Sequence, residues 1–261
     1  EMLRWNKDKR REEVVPLKKY FLLLGILLVI LAACAKPEKQ VTNKQAEKST
    51  TASTTKSEKV PKKEEVKYMR VLEAVSEKKS LAEVEKSIQA GQSDIDEVNA
   101  KGESSLLIAT HENNVALAKL LIDNGANVNL QDHIQDSPYL YAAAQGKTEI
   151  LAYILEHSKP DQKIYNRFGG NALIPAAEKG HLDNVKLLLE KGQVDINHQN
   201  NYGYTALIEA VALRDGSAQY QEIVRTLLDY KANKELRDNN NMTALDYAKQ
   251  LGYSEMVSLL S

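Results

Sequence analysis

The hydrophobic and polar positions divide this chain into three stretches with different patterns. Residues 21–33 form an uncharged apolar run, which follows the basic pair Lys18 and Lys19. Residues 35–65 carry almost no large apolar side chain and are rich in Lys, Glu, Ser and Thr. From about residue 66 the apolar positions recur with the spacing of amphipathic helices, so the sequence predicts a helical globular part there.

The globular part is built from a repeated pattern. The segments "SSLLIA", "SPYLYA", "NALIPA", "TALIEA" and "TALDYA" end in Ala109, Ala142, Ala176, Ala210 and Ala248, at spacings of 33, 34, 34 and 38 residues. A second, leucine-rich segment follows each of the first four alanines. This predicts pairs of short antiparallel helices, in which the alanines allow close packing and stacking of the units builds the core.

The pattern resembles the ankyrin repeat over residues 66–261. Its best copy is "NALIPAAEKGHLDNVKLLLEKGQVDIN" at residues 171–197, and "GANVN" at 125–129 matches the end of the repeat signature. The resemblance implies an all-α ankyrin-repeat solenoid of about six helix-turn-helix units, of which the first and last are caps, with loop or hairpin fingers. The third unit lacks the "GADVN" ending, and the fifth carries an extra "RDGSAQYQ" between its helices.

The resemblance also implies a protein-binding surface, because ankyrin stacks bind partners through the fingers and the exposed face of the first helices. The finger positions are Lys101, His133, Arg167, Phe168, Tyr202 and Tyr204. The helix-face positions are Tyr141, Glu178, Glu209 and Tyr247. Several of these are Tyr, Phe or Arg, the residue types enriched at binding hot spots. The alternative for Tyr202 and Tyr204 is that they pack against neighbouring fingers.

The N-terminal stretches predict export and lipidation. A positive pair, a short apolar run and the small residues of "LAAC" resemble the signal of bacterial lipoproteins, whose cysteine sulfur receives a diacylglyceryl group. Residues 17–33 would then be a signal peptide and Cys34 the lipid anchor, which takes more than one acyl chain to be stable. A signal anchor with a chance cysteine is the alternative. Residues 34–65 predict a disordered tether, so the protein would lie on the outer face of the cell membrane.

Residues 1–16 do not fit a signal peptide, which begins a few residues before its positive charges. We interpret "EMLRWNKDKRREEVVP" as translated upstream sequence and Leu17 as the natural start, and the alternative is a genuine, long n-region. The gene would show this as a purine-rich, ribosome-binding stretch before codon 17.

The composition and the isolated motifs argue against several kinds of binding and catalytic site. The net charge of −1 argues against a broad nucleic-acid footprint, and one cysteine among 261 residues excludes thiolate zinc clusters. His111 and Glu112 have no companion ligands, and His181, at the Gly-His position of the repeat, predicts a helix cap. "RDNNNMT" lacks the later residues of a calcium loop and predicts a turn. We therefore expect no catalytic residue, no metal and no cofactor.

The resulting expectation is a monomeric, lipid-anchored, extracytoplasmic module that binds an unidentified protein as a scaffold. An immunity-type protein that neutralises a toxin at the cell envelope is the alternative, and a neighbouring toxin gene would favour it. An enzyme is a third class, which would require a polar pocket that the sequence does not announce.

Overall fold

The computed structural model describes residues 68–261, which form one continuous array of helices. The predictions for residues 1–16, 17–33 and 34–65, including Cys34, concern positions outside the described residues. Within 68–261 there is no β-strand, and the one antiparallel bridge joins Val98 to Ser104. None of the helices in this part of the chain is long and apolar enough to cross a membrane.

Six helix pairs follow one another along the array. The first helices of the pairs are α1 (Val71–Ser76), α3 (Ser105–His111), α5 (Pro138–Ala144), α7 (Leu173–Glu178), α9 (Ala206–Ala212) and α11 (Ala244–Leu251). The second helices are α2 (Leu81–Ala90), α4 (Val115–Asp123), α6 (Thr148–His157), α8 (Leu182–Lys191), α10 (Ala218–Asp229) and α12 (Ser254–Leu260). The sequence prediction of an all-α solenoid of six units is confirmed.

The helices form two layers. Each first helix contacts the first helix of the next unit, and each second helix contacts the next second helix. The repeated alanines Ala109, Ala142, Ala176 and Ala210 are fully buried, as the close packing of the first layer requires. Leu121, Leu188 and Leu227 are fully buried from the second layer. Burial is therefore shared between units, as expected for an array in which no unit has a core of its own.

Polar side chains cap the N-termini of the first helices in the second to sixth units. Ser104, Ser137, Thr205 and Thr243 each accept a hydrogen bond from the backbone N–H three residues on, at 3.1–3.2 Å. Asn171 occupies the same position before α7 and accepts from the N–H groups of Leu173 and Ile174. These caps satisfy backbone donors that have no partner inside the helix, and so fix where each helix begins.

Two expectations about irregular units are refined. The third unit's second helix ends at an extended Ser158, but Asp161 then forms the same turn as Asn127, Asp195 and Asn233 in other units. The insertion in the fifth unit is not all loop. Residues 213–217 connect the helices, whereas residues 218–221 form the first turn of α10, which is 12 residues long.

The structure also corrects the role of His181. It occupies the position before α8, but its side chain does not cap that helix. The ring lies instead against the third unit, where it meets the backbone of Gly146 and hydrogen-bonds the carbonyl of Ala144. Burial lowers its pKa below the usual value. His181 therefore links neighbouring units.

Candidate protein-binding surface

Five fingers project from the array, at residues 99–103, 132–136, 166–170, 200–204 and 238–242. In each finger the side-chain Oδ1 of the first residue accepts hydrogen bonds from the backbone N–H groups of the third and fifth residues, at 2.8–3.0 Å. The first residues are Asn99, Asp132, Asn166, Asn200 and Asp238. Sequence reasoning missed this device, although its spacing of 33, 34, 34 and 38 residues equals that of the alanines.

The third residue of each finger is exposed. Three consecutive fingers place a large apolar side chain there: Ile134 is 55% exposed, Phe168 is 44% exposed and Tyr202 is 56% exposed. We call these three residues the finger row. Sequence reasoning identified Phe168 and Tyr202 but took His133 in place of Ile134, because it did not align the fingers on their first residues.

The other predicted finger residues divide into exposed and half-buried groups. Lys101, His133 and Arg167 are exposed, and the guanidinium of Arg167 lies 4.8 Å from the ring centre of Phe168. Tyr204 is half-buried, and its ring meets Tyr247 edge to face at 6.2 Å. Its hydroxyl lies 3.4 Å from the Tyr247 hydroxyl. Tyr202 thus stays available to a partner, while Tyr204 packs within the protein.

The predicted helix-face residues are less accessible than the fingers. Tyr141 is half-buried, with its ring 4.2 Å from the ring of His111, and Glu178 forms an ion pair with Arg214. Glu209 and Tyr247 were expected on the exposed face, but they are only 7% and 9% exposed. The helix layer therefore contributes Tyr141 and Glu178 at its surface, and little else of the predicted set.

Glu209 and Tyr247 brace the fingers from below. Asn200 Nδ2 donates to Glu209 Oε1 at 2.8 Å, and the Tyr247 hydroxyl donates to Asp238 Oδ2 at 2.5 Å. Burial, together with the hydrogen bond to Asp238, raises the pKa of Tyr247, so the phenol stays protonated and donates. Each of these two hydrogen bonds holds the first residue of a finger, whose side chain accepts the hydrogen bonds within that finger. Glu209 and Tyr247 are therefore buried against the fingers and not exposed to solvent.

The acidic and basic side chains of the fingers differ in how far they are buried. Asp132 and Asp238 are buried against the backbone N–H groups of their own fingers. Asp136 is half-buried, and its pKa is raised by burial, which outweighs the opposing effect of Arg167. Lys101 and Arg167 are exposed, and neither forms an ion pair with a carboxylate of residues 68–261. The exposed side chains of the second to fourth fingers are therefore apolar, neutral polar or basic, and the acidic side chains lie deeper.

Neighbouring fingers are joined by one backbone hydrogen bond at three of their four junctions. The N–H of the second residue donates to the carbonyl of the third residue of the preceding finger: His133 to Lys101, Asn201 to Phe168 and Asn239 to Tyr202, at 2.9–3.1 Å. Between the second and third fingers, the N–H of Arg167 and the carbonyl of Ile134 form no such bond in the described chain. A bond from Gln131 Nε2 to the Tyr165 carbonyl, 2.8 Å long, connects them, and the equivalent bond from Gln199 Nε2 to the Arg237 carbonyl accompanies the backbone bond at the fourth junction.

We call the junction between the second and third fingers, which lacks the backbone bond, the open junction. The fourth residue of the finger differs there. It has a positive φ in all five fingers and is glycine in three of them, Gly102, Gly169 and Gly203. A Cβ on Gly203 would lie 2.8 Å from the Asn239 nitrogen, closer than atoms pack, so glycine is what lets the next finger approach. The second finger has Gln135 there instead, and its junction with the third finger is the one that lacks the backbone bond.

Residues 68–261 contain no group of three or more His, Cys, Asp and Glu side chains placed to hold a metal ion. His111 and Glu112 end α3, and His111 lies near Glu103, with Nδ1 3.5 Å from the carboxylate. "RDNNNMT" contains the fifth finger, so the predicted turn is confirmed.

Comparisons with known proteins agree with this geometry. The family model for ankyrin repeats (3 copies) matches residues 72–166 and 140–238. The ankyrin repeat protein YahD of Escherichia coli (strain K12) is 38% identical over 167 residues, which cover 64% of this chain and 83% of YahD.

Solved structures give the same result. The crystal structure of EF0377, an ankyrin repeat protein, is 53% identical with a TM-score of 0.72, and the match covers 74% of this chain and 97% of that one. An ankyrin repeat domain from Acinetobacter baumannii AYE is 44% identical with a TM-score of 0.68, over 73% of this chain and 95% of that one. The ankyrin repeat domain of Bcl-3 is 25% identical with a TM-score of 0.66, covering 74% and 84% of the two chains.

Ankyrin repeats generally mediate protein–protein interaction, and such proteins are typically binding modules rather than enzymes. The family model spans residues 72–238, which carry the first four fingers and the helix pairs on either side of them. The chain belongs to the ankyrin-repeat family.

Proposed function

We propose that this protein is a lipid-anchored, extracytoplasmic module whose finger row binds a partner protein. One observation carries the proposal: Ile134, Phe168 and Tyr202 are large, apolar and exposed at the same position of three adjacent fingers. Exposed apolar side chains that lie together mark interaction sites, and aromatic side chains are frequent anchors in such sites. Tyr141 and Glu178 extend the surface onto the first helices.

Crosslinking in living cells tests the binding surface. We compare the wild-type chain with the double variant Phe168→Ala and Tyr202→Ala, which removes two exposed rings. An interface anchor is worth about 2 kcal/mol or more, or about thirtyfold in affinity, so partner crosslinks should be lost while the melting temperature changes little.

The matched control is the double variant Leu81→Ala and Tyr230→Ala. These two side chains are as exposed as Phe168, at 44% and 42%, but lie outside the row. This control should keep the crosslinks. If both double variants crosslink equally well, the binding surface lies outside the fingers.

Membrane attachment is the second part of the proposal, and it rests on the order of residues around Cys34. A basic pair, the uncharged run at 21–33 and "LAAC" provide what lipid transfer and cleavage would use. We expect Cys34→Ser to release the protein from the membrane fraction or to leave it unprocessed. Fractionation with radiolabelled palmitate measures both outcomes, and normal processing with full membrane retention of the variant would contradict the proposal.

A further inference from the structure

The spacing of the finger row limits what can lie along it. The first helices of successive units pack against each other, and packed helices stand about 8–10 Å apart. Side chains at equivalent positions of adjacent fingers repeat with that step. Ile134, Phe168 and Tyr202 therefore offer three contact points along a line, one for each unit.

An extended partner segment in the polyproline II conformation matches this step. It repeats its orientation every three residues and rises about 3.1 Å per residue, so every third side chain meets the row about 9 Å after the last. A β-strand presents the same face every two residues, or about every 7 Å, which is shorter than the spacing of the finger row. Aromatic surfaces such as Phe168 and Tyr202 are also those on which proline-rich segments dock.

The open junction favours an extended chain over a helix. The carbonyl of Ile134 and the N–H of Arg167 lack the backbone bond found at the other three junctions. A polyproline II segment has no internal hydrogen bonds, so its own backbone groups can pair with these two. The backbone groups in the middle of a helix are already paired and cannot.

Charge indicates which polar residues the segment carries. Lys101 and Arg167 are exposed at the fingers and have no ion pair in the described chain, whereas Asp132 and Asp238 are buried. Glu103 and Asp136 are half-buried, and Asp136 lies near enough to Arg167 for the two charges to interact. A partner with carboxylates between its apolar residues would meet cations at the surface of the fingers. A basic partner would meet the same cations and be repelled.

We propose that the finger row binds an acidic, extended segment of a partner protein, held in the polyproline II conformation with an apolar residue at every third position. The proposal rests on the binding function proposed above and names the chemistry of the partner. Ile134, Phe168 and Tyr202 take the apolar residues, Arg167 and Lys101 take the carboxylates, and the open junction takes the backbone.

Peptides of defined sequence test it with the full chain. The probe is fluorescein-labelled (Leu-Pro-Glu)₄, measured by fluorescence anisotropy. One control peptide is (Leu-Pro-Lys)₄, and the other has the composition of the probe with its four leucines grouped at one end. We expect the probe to bind at least about tenfold more tightly than either control, because the first lacks the charge and the second lacks the period.

Charge reversal in the protein provides the matched test. Arg167→Glu should weaken binding of (Leu-Pro-Glu)₄ at least about tenfold and strengthen binding of (Leu-Pro-Lys)₄. Lys101→Glu should shift both affinities in the same directions, which keeps the test available if Arg167→Glu lowers the melting temperature. Lys186→Glu makes the same charge change on α8, in the second layer, and should leave both affinities unchanged.

Equal binding of the three peptides would overturn the proposal, and so would charge reversals without effect. If the Phe168 and Tyr202 double variant still loses its cellular crosslinks in that case, the fingers bind a partner of different chemistry and only this inference fails. If the crosslinks persist in the double variant, the proposed function itself fails.

Discussion

Single polar residues connect neighbouring units of the array. Asn184 is fully buried in α8, and its Nδ2 donates to the carbonyls of both Ala142 and Ala143 in α5, each at 3.0 Å. These carbonyls lie near the end of their helix, where intrahelical donors run out. Asn184 thus gives the Ala143 carbonyl a donor from the next unit, and it adds a second donor to the Ala142 carbonyl, which also accepts the Lys147 N–H.

Asn184→Ala should lower the free energy of unfolding by about 2 kcal/mol, because two hydrogen bonds are lost and the buried Ala143 carbonyl loses its partner, whereas the Ala142 carbonyl keeps the Lys147 N–H. Urea unfolding followed by circular dichroism measures the change. Asn124→Ala is the control, since Asn124 donates to the Leu120 carbonyl at the surface and should matter by less than about 0.5 kcal/mol. Similar losses in the two variants would contradict a role for Asn184 between units.

His181 makes stability depend on pH. Burial lowers its pKa in the folded state, so between pH 6.5, about its unfolded value, and the lower folded value the unfolded chain binds more protons. The free energy of unfolding contributed by His181 is therefore present above about pH 6.5 and is lost as the pH falls through that window. His181→Gln should flatten the decline in stability between pH 7.5 and 5.5, as measured by urea unfolding.

The same pair of proteins supplies the control for His181. Above pH 7.5 the imidazole is neutral in both states, so the two stability curves should run parallel between pH 7.5 and 8.5. Curves that stay parallel down to pH 5.5 would mean that His181 does not couple folding to protons.

At the scale of the elements, the helix pairs could be predicted from the sequence. The accessibility of the finger residues could be predicted only in part. The alanine spacing located the first helices because close packing demands small residues at one point of each unit. The burial of Glu209 and Tyr247 could not be predicted, since it depends on Asn200 and Asp238, which meet them across a turn. The start of α10 was missed because Ala218 and Gln219 looked like inserted loop, although Ser217 precedes a helix.

The second and third fingers should close together if Gln135 becomes glycine. Gln135 has a φ of +64°, which costs a non-glycine residue about 1 kcal/mol, and at the equivalent Gly203 an added Cβ would lie 2.8 Å from the Asn239 nitrogen of the next finger. Gln135→Gly should therefore raise the free energy of unfolding by about 0.5 kcal/mol, after allowance for the freer unfolded chain. It should also slow hydrogen exchange of the Arg167 amide, which would gain the Ile134 carbonyl as acceptor.

Gly203→Gln is the reciprocal variant at the equivalent finger position. Its Cβ would lie 2.8 Å from the Asn239 nitrogen, so the bond from Asn239 to Tyr202 should break and stability should fall by about 2 kcal/mol. Hydrogen exchange by mass spectrometry, with urea unfolding, measures both variants. Unchanged exchange at Arg167 in Gln135→Gly would show that something other than Gln135 holds the junction open.

At the scale of the whole molecule, the two ends of the array close the core. The first unit buries Val71, Ala74 and Val75 from α1 and Val84 from α2, while most of the remaining surface of α2 is polar and exposed. The last unit buries Met256 and Leu260 from α12. A linear array needs such capped ends, since an internal unit placed there would expose its apolar face to water.

We therefore expect residues 66–261 to fold without residues 1–65 and without metal. The fragment contains both caps, and its described residues hold no cluster of metal ligands, so neither the tether nor an ion should contribute to its core. Its melting temperature, followed by circular dichroism, should match that of the full chain and stay the same in 5 mM EDTA, a concentration about a thousandfold above the protein's. Deleting residues 66–103 as well should lower the melting temperature, because the apolar side chains of α3 and α4 would lose their cover. A fragment that melts lower in EDTA would reveal a bound ion, and one that melts lower than the full chain would show that residues 1–65 contribute to the fold.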